Sequence, residues 1–192
     1  MIPPHRVFDE FAGDYDCWFD DHDEIYHAQV RLLQNAVPQT GRGLELGVGS
    51  GRFAVPLGIR YGIDPSGKLI AMANTRGVEV VLGAGEYLPY RAGTFEYVLM
   101  MTVICFLEKP QMVLQETFRV LVNGGALILG FIEKDGKIAT HSLQEKTRGR
   151  FLRFARFFSV DEVAGFLQIT GFSHVSIMRR NRGFCVIKAF KL

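Results

Sequence analysis

Cysteine is scarce: Cys17, Cys105 and Cys185 are the only three in 192 residues, and no two form a CxxC pair. That spacing argues against a disulfide framework or a zinc site and fits a reducing compartment. Long apolar runs are missing as well. The longest, Tyr97 to Leu107, is interrupted by Thr102 and is about half of what a membrane-crossing helix needs. The start, Met1-Ile2-Pro3-Pro4-His5-Arg6, leads into acids rather than an apolar stretch, so no secretory signal is expected. Neither charge sign dominates: 22 Lys+Arg against 20 Asp+Glu leave +2, with no bulk attraction to nucleic acid or membrane. Repeats, low-complexity blocks and Ser/Pro-rich linkers are absent. These absences predict a soluble cytoplasmic protein. With 48% hydrophobic residues over this length, one domain with one substantial core is expected.

What is present is alternation. Short β-rich runs recur at Gly43–Gly47, Ile59–Asp64, Val78–Leu82, Phe95–Met101, Ala126–Ile132, Val175–Met178 and Phe184–Phe190. Stretches with helical spacing separate most of them, which predicts a mostly parallel sheet covered on both faces. Helices are expected from about Asp23 to Asn35, from Pro110 to Leu121 with Asn123-Gly124 as the stop, and from the Ser159–Glu162 capping box to Gly171. Only Arg179–Gly183 separates the last two runs, so they form a hairpin. The predicted class is α/β: a doubly wound, Rossmann-like sheet with an antiparallel C-terminal hairpin.

Leu44-Glu45-Leu46-Gly47-Val48-Gly49-Ser50-Gly51-Arg52 carries the most chemistry. An apolar strand meets three alternate glycines, then a short helical stretch through Phe53, Ala54 and Leu57. Glycines allow a sharp turn and close approach of a ligand at the strand's carboxyl end. A dinucleotide fingerprint fails because Arg52 stands where its third glycine belongs. A P-loop near miss, Gly62-Ile63-Asp64-Pro65-Ser66-Gly67-Lys68, is followed by Leu69 instead of a hydroxyl, and Asp64 would repel phosphate. S-adenosylmethionine needs no lysine in the loop, and its ammonium suits a carboxylate such as Glu45. Asp64, ending the next strand, can accept both ribose hydroxyls, and Pro65 offers adenine an apolar face. Ser66 is a candidate N-cap.

Here the chain resembles the class I S-adenosylmethionine-dependent methyltransferases, in the small-molecule, type 11 branch typified by quinone-biosynthesis enzymes. The resemblance runs through Glu45–Gly51, Gly62–Ser66, Gly85–Tyr90, Thr94–Leu99 and Arg119–Gly125. It implies seven strands in the order 3-2-1-4-5-7-6 and S-adenosyl-L-methionine as cofactor. Gly47, Gly49 and Gly51 would face the methionyl part and Asp64 the ribose. Ala84, Gly85 and Glu86 would border adenine, Met101 and Thr102 would line the floor, and Tyr15 would lie near the cofactor's carboxylate. Ala84 departs from the family's usual Asp, removing one bond to the adenine amino group.

The expected reaction is direct methyl transfer to a small-molecule acceptor, with no metal and no membrane partner. Alternatives are an RNA or protein methyltransferase, or a non-catalytic module binding the cofactor; nucleic acid is disfavoured by the balanced charge. No residue stands out as catalytic. His5, His22, His27, His141 and His174 lie in no motif, and Cys105 reads as a buried structural thiol.

Charge is unevenly spread along the chain. Residues 7–24 hold eight acids and no Lys or Arg, whereas residues 133–157 hold seven bases against three acids. The domain is therefore read as a helical cap (1–40), a cofactor core (41–132), a lid-like insert (133–157) and a C-terminal helix and hairpin (158–192). Cap and insert are expected to form a two-part lid above the cofactor, held partly by opposite charge, with Phe151, Phe154 and Phe158 on one helical face.

Overall fold

A computed structural model describes residues 4–144, 149–181 and 183–192. Three helices come first: α1 (Pro4–Glu10), α2 (Ala12–Asp21) and α3 (Asp23–Gln34). The alternating core follows with β1 (Gly43–Leu46), β2 (Tyr61–Asp64), α4 (Gly67–Thr75), β3 (Glu79–Leu82), β4 (Phe95–Met101), α5 (Pro110–Val120) and β5 (Leu121–Ile132). The chain continues through α6 (Lys137–Gln144), α7 (Val160–Thr170), β6 (Ser173–Asn181) and β7 (Phe184–Phe190). One seven-stranded sheet has the order β3-β2-β1-β4-β5-β7-β6. β1 to β5 are parallel; β7 runs antiparallel to both β5 and β6. This is the strand order that the resemblance implies, a Rossmann-like sheet with an antiparallel C-terminal hairpin.

The continuous apolar run of β4 reflects a sheet buried on both sides. Val98 and Met100 face a core completed by Val113 and Leu114 of α5 and Val163 and Leu167 of α7. Tyr97, Leu99 and Met101 face the opposite core, with Val30 and Leu33 of α3 and Ala73 of α4. The period of two along one strand thus feeds two hydrophobic layers.

Local signals set several helix ends. Ser159 and Glu162 form the reciprocal capping box of α7, which stops at left-handed Gly171 (φ +103°). Ser66 caps α4, its side chain accepting from Leu69 N.

Two boundaries differ from expectation. α5 ends at Val120 and passes directly into β5, which begins five residues earlier than predicted. Asn123-Gly124 is therefore no loop but an exposed irregularity within the strand. Gly124 has φ +80°, and its N–H is taken up by the Lys191 carbonyl at 2.6 Å. β6 is also longer than Val175–Met178, because pairing with β7 extends it in both directions.

Candidate functional site

The site begins where β1 ends. Gly47, Gly49 and Gly51 have φ of +74°, +53° and +82°, a region nearly closed to residues with a Cβ. The loop is bound to β2: the N–H groups of Gly47 and Val48 both donate to the Ile63 carbonyl, at 2.8 and 3.1 Å. Asp64, 9% exposed, completes the connection. Its Oδ2 accepts from Gly49 N and its Oδ1 from Ser66 N, each at 2.9 Å. Burial pushes this carboxyl above its usual range, opposed by those two N–H groups and by His5. At Gly49 an added Cβ would lie 3.4 Å from Tyr15 Cε1, so the tyrosine ring covers this glycine.

A short helical stretch was expected after the loop; instead residues 52–58 form successive turns. Pro56 has no N–H to return to the Arg52 carbonyl, so the α pattern cannot close there. The Tyr26 hydroxyl donates to that carbonyl instead, at 2.5 Å.

Glu45 is 1% exposed, and its Oε2 has no hydrogen-bond partner; the buried Ser50 Oγ shares that condition. Burial drives the Glu45 carboxyl well above its usual range, the Asp64 charge adds to this, and the Ala54 backbone opposes it. Leaving such a group unsatisfied costs about 1–3 kcal/mol. Glu45, Gly47, Ser50, Tyr15 and Met101 line one small hollow, so the orphaned oxygens belong to a site able to receive a donor.

The remaining predicted residues sit along the same carboxyl edge. Pro65 is exposed just past β2; Ala84 is exposed and Gly85 buried past β3, with Glu86 half-buried beside them. A Cβ at Gly85 would come within 2.9 Å of Val113 Cγ1, so packing alone demands glycine there. Gly83 N donates to the Asp64 carbonyl at 3.1 Å, holding the β3 loop against the β2 end. Met101 ends β4, and Thr102 after it adopts φ +58°, a left-handed conformation rare for a β-branched residue. A larger groove of about 520 Å³, between residues 86–89 and α5, shares only Glu86 with this constellation and lacks both the glycine loop and Asp64.

Several residues with clear roles here were absent from the predicted set. Asp16 forms bidentate pairs with both Arg52 and Arg76, with hydrogen bonds of 2.7–2.9 Å, and Arg76 also donates to the Ser50 carbonyl at 2.6 Å. The two guanidinium groups hold the Asp16 carboxyl far below its usual range despite its partial burial. Asp20 also pairs with Arg52. Asp9 accepts from Ser66 Oγ at 2.8 Å and Lys68 N at 2.9 Å, attaching α1 to the start of α4. The available signal was a run of eight acids with no base among them, which had to find cations elsewhere in the fold.

The charge pairing expected between cap and insert occurs in one described ion pair, while the cap's other acids turn elsewhere. The cap's described acids bond mainly to core residues; among the described residues Asp14–Arg150 is the one ion pair joining cap to insert. The helical face expected for Phe151, Phe154 and Phe158 is absent. Residues 152–154 form a single 3-10 turn; the chain then extends, and Phe158 pairs with Glu133 and is buried in the main core. Phe151 instead stacks on Phe8 at 4.9 Å, and Phe8 meets Tyr15 and Phe106 edge-on. Lys146 and Arg148 lie outside the described residues, as does the His141 side chain.

The other histidines are dispersed: His22 stacks on Trp18, His27 pairs with Asp23, and His5 and His174 are exposed. Cys105 is buried, its thiol pushed up to about 12 by burial, and donates to the Thr102 carbonyl. Among the described residues no group of His, Cys, Asp and Glu could hold a metal ion.

A strand, a turn of left-handed glycines and a carboxylate ending the neighbouring strand define an α/β protein built to bind a nucleoside-bearing cofactor at its sheet's carboxyl edge. A sequence model of the type 11 methyltransferase domain matches residues 44–129. An uncharacterized protein of Methanocaldococcus jannaschii is 38% identical over 88% of this chain and 82% of its own. A Thermotoga maritima crystal structure superposes with a TM-score of 0.92 at 32% identity, covering 97% of this chain and 99% of that one. It is described as an S-adenosylmethionine-dependent methyltransferase and "possible histamine N-methyltransferase". A malonyl-[acyl-carrier protein] O-methyltransferase of Geobacter sulfurreducens is 26% identical over 92% of this chain and 73% of its own.

The chain belongs to the class I S-adenosylmethionine-dependent methyltransferases. It is a methyl-transfer enzyme, and its cofactor is S-adenosylmethionine. The side chains suit that group: a buried carboxylate oxygen and a buried hydroxyl lack partners beside the glycine loop, matching a ligand that brings an ammonium.

Proposed function

We propose that this enzyme methylates a small-molecule acceptor held beneath the N-terminal cap. S-adenosylmethionine, when bound, supplies a methyl group already activated on a sulfonium. The Gly47–Gly51 turn would lie against its methionyl part, with Glu45 and Ser50 facing the ammonium and Tyr15 near the carboxylate. Asp64 would hold the ribose hydroxyls through the lone pairs that Gly49 and Ser66 leave free. Pro65, Ala84, Gly85 and Glu86 would border the base, and Met101 and Thr102 would form the floor on the acceptor side. The protein's task is then alignment: holding an acceptor lone pair roughly 3–3.5 Å from the methyl carbon, in line with the breaking bond.

The observation that carries the small-molecule reading is the aromatic cover. Phe8 from α1, Tyr15 from α2, Phe106 from the turn after β4 and Phe151 from the insert form one cluster. Arg150 bonds Asp14 and lies 3.9 Å above the Phe11 ring, joining insert to cap. Such a cover excludes water from a buried acceptor and leaves little access for a macromolecule.

The test is transfer of labelled methyl from S-adenosylmethionine into fractionated cell extract. Label in the low-mass pool, reduced by Phe8→Ala and Phe151→Ala, supports the reading. Label confined to RNA or protein contradicts it, and so does cofactor binding with no transfer at all.

A further inference from the structure

We infer that Asp16 is a positioning residue for the cofactor, connecting the helix that carries Tyr15 to the glycine loop. This rests on the cofactor placement proposed above. The geometry is a four-part chain. Asp16 Oδ1 accepts from Arg52 Nε and Arg76 Nη1, and Oδ2 accepts from Arg52 Nη2 and Arg76 Nη2, at 2.7–2.9 Å. Arg52 follows the loop directly, so one guanidinium reaches back from the loop's far end. Arg76, at the C-terminal end of α4, passes the restraint on to the loop itself through the Ser50 carbonyl. The carboxylate therefore gathers two cations, one that follows the Gly47–Gly51 turn in sequence and one that bonds its Ser50 carbonyl.

The side chains are sheltered enough for this to matter: 15% exposed for Asp16, 18% for Arg52 and 31% for Arg76. Fork-on-fork pairs fix orientation as well as distance. The residue just before Asp16 in sequence is Tyr15, whose ring edge covers Gly49. Rotating α2 by a fraction of a turn would carry Tyr15 off the loop and free the Ser50 carbonyl together. Asp16 touches neither cofactor nor acceptor in this arrangement; it acts through Tyr15 and Ser50.

Titration calorimetry of the full chain with S-adenosylhomocysteine tests this, using Asp16→Asn, Tyr15→Phe, their combination, and Arg76→Gln. Asp23→Asn, an exposed acid on α3, serves as control. Asp16→Asn is expected to weaken binding about tenfold, and Tyr15→Phe to weaken it as well. The double variant should lose no more than the worse single one, because Asp16→Asn already misplaces the hydroxyl that Tyr15→Phe removes. Arg76→Gln should weaken binding too, which keeps the inference testable if Asp16→Asn folds poorly. Asp23→Asn should bind as the parent does. Effects of Asp16→Asn and Tyr15→Phe that simply add, or a lowered Tm with unchanged affinity in both Asp16→Asn and Arg76→Gln, would overturn it. A parent chain that binds no S-adenosylhomocysteine would instead discredit the cofactor placement itself.

Discussion

The Asp64 carboxylate accepts the Gly49 backbone N–H at 2.9 Å, so the end of β2 and the middle of the glycine turn form one rigid unit. The same carboxylate takes the Ser66 N–H, so Asp64 is a structural clasp between strand end and loop, and the proposed ribose role would be added to that.

Replacing Asp64 by Ala should therefore produce two separable losses. Gly49 and Ser66 are left with buried, unpaired N–H groups, each costing about 1–3 kcal/mol, so Tm should fall by several degrees. The ligand-induced shift with S-adenosylhomocysteine should also vanish at concentrations that stabilise the parent. A full shift in the Asp64→Ala variant would contradict the ribose assignment.

Glu45 should make stability and binding pull in opposite directions. Its carboxyl is raised in the fold, so the folded state holds the proton that the unfolded chain releases. Its contribution is fully present below the usual carboxylate range and is lost as pH rises through the folded value. Asp16, lowered in the fold, has the reverse sign: its contribution disappears as pH falls below the usual Asp range. Glu45→Gln should raise Tm at pH 7–8 and flatten the pH slope while weakening affinity for S-adenosylmethionine. In the parent, ionising Glu45 to meet the ammonium should release a proton, read as a buffer-dependent binding enthalpy in calorimetry.

The glycines of the loop should differ in their tolerance of a side chain. At Gly47 a Cβ is strained by φ +74° and would also overlap Val103 Cγ2. Left-handed strain and overpacking together cost about 2–5 kcal/mol, or roughly 5–15 °C of Tm for a domain of this size. Gly58 has φ +68° but open space around it, so Gly58→Ala should show only the smaller conformational cost. Adding Val103→Ala to Gly47→Ala should recover part of the loss; no recovery would mean the overlap is not the cause.

Thiol chemistry should divide three cysteines into one and two. Cys17 is exposed, whereas Cys105 and Cys185 are buried, their thiols pushed up to about 12 and about 11 by burial. Titration with a thiol reagent at pH 8 should find one fast group in the native protein and three after denaturation. A second fast group would show that the core around Cys105 or Cys185 opens readily.

The legible part of this protein was what neighbouring residues decide together. Strand periodicity, the Ser159–Glu162 cap, the Ser66 cap and the glycine spacing each act within a few residues, so their physics is written in local order. Glu45 and Asp64 could be singled out because each sits at a defined step of a strand-to-turn junction. The bonding between Asp64 and Gly49 was not legible, since it depends on how two parallel strands register.

The partners of the acids in α1 and α2 were equally hidden. A run of like charge announces that cations lie elsewhere, yet only packing of the cap decided that Asp16 meets Arg52 and Arg76 rather than the basic insert. The same holds for Phe158, which spacing placed on one helical face with Phe151 and Phe154 and the tertiary structure placed in the core. Pro56 shows both levels at once: the missing N–H is plain in the sequence, while the Tyr26 hydroxyl that satisfies the Arg52 carbonyl comes from a helix about thirty residues earlier. Local order determined the elements and the glycine loop. Long-range contact alone decided what holds that loop still, because an ion pair or a filled cavity is chosen by the three-dimensional position of groups far apart along the chain.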